Sequence, residues 1–180
     1  MRSIIDHILI WWLRTGRYQW SSLHRRLFER RYRNTALPVV NSLQEIQVCL
    51  KKVKWTMDGL LHLFDCISYP GVTWTKKKDD CDGFAILAAE LLHKWNSNCH
   101  PVLVTALVQP IKYSHTICAF IGPLGDICLF DNSFLRCENY LTYDEIVINI
   151  SQRAQRIVCW DVRDPGTFEM LEFHKSGEDN

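Results

Sequence analysis

The sequence predicts an α+β fold in which a helix packs against an antiparallel sheet, preceded by an N-terminal helical extension. The helix prediction rests on apolar residues that recur at helical spacing along one segment. These residues are Phe84, Leu87, Ala88, Leu91, Leu92 and Trp95. The sheet prediction rests on two β-rich runs, 113–121 and 126–133, separated by a Gly- and Pro-containing stretch that is typical of a hairpin turn. A chain of 180 residues is long enough to form a core of its own.

Composition and charge describe an ordinary soluble globular protein. Hydrophobic residues make up 47% of the chain and charged residues 23%, and the net charge of +1 argues against a generic nucleic-acid binder. The charge is unevenly spread, however. Residues 1–33 hold eight arginines against two acids, a net charge of +6, and residues 161–180 hold six acids against two basic residues, a net charge of −4. The two ends could pair with each other or with a partner's surface.

The eight cysteines do not follow a metal-binding pattern. They contain no C-x-x-C pair, which disfavours zinc, and we expect neither a metal nor an organic cofactor. Cys118 and Cys128 fall inside apolar strands, where an unbridged cysteine acts as a small hydrophobic residue. Because Asp6 and His7 interrupt the first apolar run, we expect no cleavable signal peptide and synthesis in the reducing cytoplasm. Disulfide bridges and a virion-associated location stay open if the protein is later delivered outside.

The extension, residues 1–38, is rich in arginine and tryptophan. Its apolar start is too short to span a bilayer, and arginines then alternate with aromatic residues and leucines. Three interpretations compete: a helix packed on the domain or on a partner protein, a basic amphipathic helix on a membrane surface, and an arm that binds nucleic acid. The residues expected to make such contacts are Trp11, Trp12, Arg25, Arg26, Arg30 and Arg31.

A linker at 35–41 is expected to lead into the core, residues 39–173. A capping box that starts at Ser42 predicts a helix to about Cys66, which the stretch 69–71, Tyr-Pro-Gly, should break. Further along, the pattern predicts a buried strand at 100–108, a helix from Thr142 to about Gln155, a strand at 157–162 and a polar tail at 174–180.

Cys81 is the candidate nucleophile. Asp79 or Asp80 is suited to the N-cap of the predicted helix, which places Cys81 in or just before the first turn. The positive end of a helix dipole favours a thiolate, and a backbone N–H there can donate to an oxyanion. The acidic neighbours, which include Asp82, oppose this effect because they raise the pKa of the thiol.

A nucleophilic cysteine needs a base, and the base needs a group that orients it. If the hairpin turn lies at 122–125, the numbers of residues paired across the two strands sum to about 247. His115 then lies opposite about position 132. Asp131 is then close enough to hold the imidazole. His93 and His100 are competing bases, but His93 lies late on the helix of the nucleophile, about three turns away.

The segment 80–85, Asp-Cys-Asp-Gly-Phe-Ala, with a histidine and an aspartate on successive strands, resembles the transglutaminase-like superfamily. It looks most like the bacterial and phage branch of cysteine peptidases, whose helix typically opens Gly-Asp-Cys-Asp-Asp-Phe-Ala. The resemblance covers roughly residues 42–135 and implies a papain-like core. The departures are Asp79 where Gly is usual, Gly83 where Asp is usual, and Thr-Ile at 116–117, where a small residue and an aromatic often follow the histidine.

The resemblance implies a role for each site residue. It assigns the nucleophile, the general base and acid, and the orienting acid to Cys81, His115 and Asp131. Candidates for the oxyanion hole or the substrate lining are Tyr69, Trp74 and Asp82. The implied function is that of a cysteine hydrolase, a peptidase or amidase, acting through a thioester on a protein, peptide or amide; we expect hydrolysis rather than acyl transfer because water is always present. The alternative is a catalytically silent structural protein, for example a phage particle component that docks through its N-terminal arm.

Overall fold

The computed structural model describes residues 4–32, 34–57, 66–122 and 124–176, and these form a mixed structure of helices and an antiparallel sheet. The α+β class is therefore confirmed. The helices are α1 Ile4–Trp11, α2 Arg17–Tyr32, α3 Leu43–Leu50, α4 Pro70–Lys76, α5 Cys81–Trp95 and α6 Tyr143–Ile150. The strands are β1 Lys54–Trp55, β2 Lys78–Asp79, β3 Val102–Gln109, β4 His115–Ile121, β5 Ile127–Asp131, β6 Phe134–Tyr140, β7 Arg156–Arg163 and β8 Met170–Lys175.

The main sheet has the strand order β6-β5-β4-β3-β7-β8, and every neighbouring pair is antiparallel. Its two faces belong to two apolar clusters. Leu103 and Leu107 of β3 join the cluster that contains α5, α3 and the N-terminal helices, whereas Val104 and Ala106 join the cluster that contains α6. Burial on both faces explains why β3 reads as a continuous apolar run instead of an alternating one.

The predicted nucleophile helix is confirmed as α5. The carboxylate of Asp80, the N-cap residue, accepts a hydrogen bond from the backbone N–H of Asp82. Every residue from Cys81 to Ala89 is buried, because the helix lies between the sheet, α3 and the N-terminal helices. A deeply buried helix start limits the number of groups that can reach Cys81.

The N-terminal arm, residues 4–32, runs through α1, a five-residue π-helical stretch at Trp12–Gly16, and α2. Its inner face is part of the core, since Leu9, Leu13 and Tyr18 belong to the same apolar cluster as α5. Asp6 anchors the start of the arm through an ion pair with Arg156 at 2.6 Å. Among the described residues, no helix combines the length and the apolar character that crossing a bilayer requires.

The capping box at Ser42 is confirmed, because its hydroxyl accepts from the N–H of Glu45. The predicted helix length is wrong: α3 ends at Leu50 instead of near Cys66. Residues 54 and 55 instead pair in parallel with β2, the two residues that lead toward α5. This non-local pairing competes with helix continuation, and the remainder of the predicted helix, 58–65, lies outside the described residues.

Two further boundaries differ from the sequence prediction. The stretch at 69–71 begins a helix instead of ending one, because Pro70 occupies the first turn of α4, where its missing N–H costs nothing. The helix that starts at the Thr142 cap ends at Ile150 and not near Gln155. Gln155 has already turned toward the sheet, where its backbone N–H donates to the carbonyl of Gln109.

Strands β6 and β8 lie at the two edges of the sheet and were not predicted. Their side chains are largely exposed or half-buried, so they lack a strong apolar pattern. Because β8 extends to Lys175, the predicted polar tail is wrong for its first two residues. The expectation of an unbridged Cys128 is also wrong: it forms a disulfide with Cys137 on β6.

Substitution of Leu13 by alanine should destabilise the whole fold, not only the arm. Leu13 is 1% exposed within the main core, and loss of such a side chain costs about 2–5 kcal/mol of unfolding free energy. Trp11→Ala is the matched control, because Trp11 on the same helical arm is 59% exposed. Urea denaturation of both variants measures the difference. Equal midpoints for the two variants would contradict an arm that is built into the core.

Candidate active site

Cys81 occupies the first position of α5, facing strand β4. Its side chain is buried, with 4% of the residue exposed, and its sulfur accepts a backbone hydrogen bond from Thr116. Thr116 directly follows His115 on β4. The helix start and the first residues of this strand are therefore held together, which places the sulfur within one residue of the predicted base along the strand.

Burial raises the pKa of the Cys81 thiol well above its ordinary value, and the carboxylates of Asp80 and Asp82 raise it further. The hydrogen bond from Thr116 and the charge of Arg17 lower the pKa but offset this rise only in part. The resting cysteine is consequently a neutral thiol.

His115 and Asp131 meet as the hairpin predicted. Nε2 of His115 lies 2.8 Å from Oδ1 of Asp131, and both side chains are about one-fifth exposed. The β4–β5 pairs, such as Cys118 with Phe130, differ by one residue from the predicted register. A second cation contacts the same carboxylate, because Arg136 on β6 lies 3.2 Å from its Oδ2.

Asp131 is held in its ionised form. Burial acts to raise its pKa, but the hydrogen bond and charge of His115, together with the charge of Arg136, outweigh burial and leave the pKa below its ordinary value. Because Asp131 is a carboxylate at neutral pH, it accepts the N–H of Nε2. Nδ1 of His115 then carries the lone pair and is the atom that can take a proton.

The chain departs from the family motif at Asp79 and Gly83, and the two departures are linked by a steric constraint. A Cβ atom added to Gly83 would lie 2.1 Å from Cγ of Asp79. The Asp79 carboxylate is fixed there by the hydroxyl of Thr73 at 2.5 Å and by the N–H of Asp80 at 3.1 Å. An aspartate at 79 therefore requires a glycine at 83, and a carboxylate stays in this region although it comes from the other end of the motif.

Arg17 of the N-terminal arm forms a buried ion pair with Asp82, the residue after Cys81. Both side chains are 1% exposed. Asp79, Asp80 and Asp82 bring carboxylate oxygens within 4.8 Å of one another, a spacing that could suit a metal ion. Protein groups already bind two of the three carboxylates, Thr73 that of Asp79 and Arg17 that of Asp82.

Tyr69 and Trp74, the predicted upstream lining residues, both lie at α4. Tyr69 is its N-cap residue and lines a groove of about 1000 Å³ that also borders α2, α5 and residues 164–171. Trp74 packs against the main core, with the ammonium of Lys77 over its ring. Their role toward an oxyanion or a substrate stays a prediction, as does that of the buried Asp82.

The arm residues predicted to bind partners differ in exposure. Trp11, Arg26 and Arg31 are exposed, whereas Trp12 and Arg25 are half-buried. Arg25 donates to the carbonyls of Ser68 and Pro165. The side chain of Arg30 lies outside the described part of the chain. Sequence reasoning also missed Arg17, Thr116 and Arg136 at the site; the sole signal was the position of Arg17 in step with Leu9 and Leu13 on the inner face.

Gly83→Ala should destabilise the protein by about 1–3 kcal/mol, although alanine is the better helix former. The added methyl group would overlap the carboxyl group of Asp79. In Asp79→Ala/Gly83→Ala the overlap is relieved. The double variant should therefore lose less unfolding free energy than the sum of the losses in the two single variants. Chemical denaturation of the four proteins of this cycle measures the coupling. Additive changes would contradict the shared space. Gly166→Ala, at an exposed turn where the added Cβ would lie 3.3 Å from Oδ1 of Asp164, is a comparison with a milder contact.

Alkylation of Cys81 should be slow in the folded protein and should accelerate only at alkaline pH. Because its pKa is raised, the thiolate forms as pH increases through that raised value, above the ordinary value of 9.0. The same cysteine in urea should react at lower pH, because unfolding removes the burial that raises its pKa. Iodoacetamide labelling with mass spectrometry across pH measures both states, with the more accessible Cys66 as internal reference. Selective labelling of Cys81 below pH 7 would demonstrate a resting thiolate instead.

The site thus holds a buried thiol at a helix start, beside a strand whose first residue is a histidine bound to an ionised carboxylate. The first turn of a helix can direct backbone N–H groups at a reacting carbonyl, and the histidine beside its carboxylate is suited to acid–base chemistry. No protein-family model matches the chain, and no curated protein matches it.

Proposed function

We propose that this protein is a transglutaminase-like cysteine hydrolase, an amidase or peptidase with a papain-like core. One observation carries the proposal: His115 binds Asp131 at 2.8 Å on the strand whose next residue hydrogen-bonds the sulfur of Cys81. A base, its orienting acid and a thiol at a helix N-terminus are the three parts that thiol acyl transfer requires.

The first half-reaction forms a thioester. Nδ1 of His115 takes the Cys81 proton as the sulfur attacks the carbonyl carbon of an amide, and the carbonyl oxygen becomes an oxyanion. N–H groups in the first turn of α5 donate to that oxyanion. The tetrahedral intermediate then collapses, the C–N bond breaks, and the amine leaves with the proton from His115.

The second half-reaction returns the free enzyme. His115 takes a proton from water, the oxygen attacks the thioester carbon, and the C–S bond breaks as the carboxylic acid leaves. The proton held by His115 then returns to the sulfur. Asp131 stays ionised throughout, and its charge favours the protonated imidazole that forms in both halves.

The raised pKa of Cys81 selects general-base catalysis over a standing thiolate–imidazolium pair. A neutral thiol in a buried site needs its base at the moment of attack, so the proposed reaction depends on the alignment of His115. Arg136 contributes by holding Asp131 from the side opposite His115. It acts on the base only through Asp131 and is therefore a positioning residue.

A second candidate is a catalytically silent structural protein of the same fold. The observation that favours it is the burial of Cys81, which is only 4% exposed. Two adjacent carboxylates also disfavour the thiolate form of this cysteine. The two candidates differ in one measurable property. An enzyme acylates Cys81 with the help of His115, and a silent protein does not.

The test is formation of an acetyl thioester from p-nitrophenyl acetate, followed by mass spectrometry of the trapped adduct and by nitrophenolate release. We expect acylation at Cys81 and a fall of about 10²-fold or more in His115→Asn, because a positioned base contributes that much. His174→Asn is the matched control, since His174 also lies on a strand and binds a carboxylate, with Nε2 2.7 Å from Glu172. Cys118→Ala, which removes another buried thiol, should leave acylation unchanged.

Equal acylation rates in the wild type and in His115→Asn would contradict the proposed triad and favour the catalytically silent structural protein. The same holds if the adduct is spread over several cysteines without preference for Cys81. Loss of acylation in His174→Asn as well as in His115→Asn would show that the effect is not specific to the site.

A further inference from the structure

The N-terminal arm presents large apolar side chains to solvent along its outer face. On α1 these side chains recur at steps of four and three residues, and on α2 at steps of three and four. Their exposure ranges from 49% to 79%. The outer apolar face, as it is called below, consists of Ile4, Ile8, Trp11, Trp20, Leu23 and Leu27.

This face is not a by-product of the core. The same helices bury a separate set of residues on their inner side, among them Leu9, Leu13 and Tyr18. A helix with one buried face normally carries polar residues on the other, because exposed leucine, isoleucine and tryptophan add nothing to folding stability. Their clustering on one element marks an interaction surface.

The exposed charged side chains described on the arm are basic. Arg14, Arg26 and Arg31 are exposed on the arm. Asp6 is 2% exposed and is bound by Arg156, so it does not offset them. The side chain of Glu29 lies outside the described residues. Within the described part of the arm, the exposed surface therefore combines apolar and cationic groups.

We propose that the outer apolar face docks on an anionic lipid bilayer, with the arm lying in the plane of the interface. Aliphatic side chains enter the acyl region, tryptophans favour the interface, and arginines bind lipid phosphates. A second copy of the chain would bring arginines against arginines. A nucleic acid would match the arginines but would leave the isoleucines and leucines without an apolar environment.

The arm is already folded in the docking geometry. Its inner face is fixed to the core by apolar packing and by the buried pair of Arg17 with Asp82, so docking requires no refolding. Deletion of the arm would therefore damage the core and is not a usable test. Point variants on the outer face of the full-length protein avoid that problem.

The experiment is flotation of the full-length protein with phosphatidylcholine vesicles, with and without about one-third phosphatidylglycerol. We expect binding to the anionic vesicles, little binding to the neutral ones, and loss of binding at high salt. Ile8→Ser/Leu27→Ser should lower the partition coefficient onto anionic vesicles about tenfold or more, and Arg26→Glu/Arg31→Glu should lower it to a similar extent. The matched control is Leu141→Ser/Ile148→Ser, two exposed apolar residues outside the arm, 77% and 64% exposed. This control should bind like the wild type.

Three outcomes would overturn the proposal. One is equal binding of both arm variants and the control variant. Another is that the wild type does not bind anionic vesicles but forms a concentration-dependent dimer, which Ile8→Ser/Leu27→Ser dissociates. That result would make the face a self-association surface. The third is salt-sensitive binding to duplex DNA without binding to vesicles. Circular dichroism of each variant establishes that the fold is intact before its binding is compared.

Discussion

The buried ion pair of Arg17 with Asp82 is the constraint on which the site depends. It joins the N-terminal arm to the residue after Cys81, and both side chains are 1% exposed. Removal of one partner would leave an uncompensated buried charge, which typically costs about 3–5 kcal/mol. The positions of the arm and of α5 are therefore interdependent. Tyr18 extends this connection, since its hydroxyl donates to Asp161 and lies 3.4 Å from Oγ1 of Thr105 on β3.

The charges around the thiol are the physical basis of the proposed mechanism. Three buried carboxylates surround the start of α5, and Arg17 is the cation that reduces the pKa of Cys81 against them. A thiolate at rest would add a further negative charge to this region. In the proposed mechanism, proton transfer to His115 during attack avoids that state, because the negative charge develops on the oxyanion and is stabilised by helix N–H groups. The exchange of aspartate and glycine between 79 and 83 leaves this acidic environment in place.

Local signals account for what the sequence could predict. Apolar spacing and an N-cap aspartate, Asp79 or Asp80, located α5. The Gly- and Pro-containing turn located β4 and β5 to within one residue of register, so that His115 and Asp131 could be paired. Non-local interactions account for the rest. The helix after Ser42 ends early because residues 54 and 55 pair with strand β2, and the edge strand β6, which supplies Arg136, carries little apolar pattern. Arg17 and Asp82 are 65 residues apart, and no local rule connects them.

The arm shows why one sequence pattern allowed several interpretations. Its first helix reads as apolar nearly all round, which suits a helix buried on every side. In the structure the inner residues, such as Leu13, satisfy the core, and the outer residues, such as Trp11, do not. The apolar residues of this helix therefore serve two purposes, packing in the core and exposure on the outer side. The sequence alone does not show which apolar residue belongs to which side. The fold separates them, because the packing of Leu9 and Leu13 in the core and the ion pair of Arg17 with Asp82 hold one side of the arm against the domain.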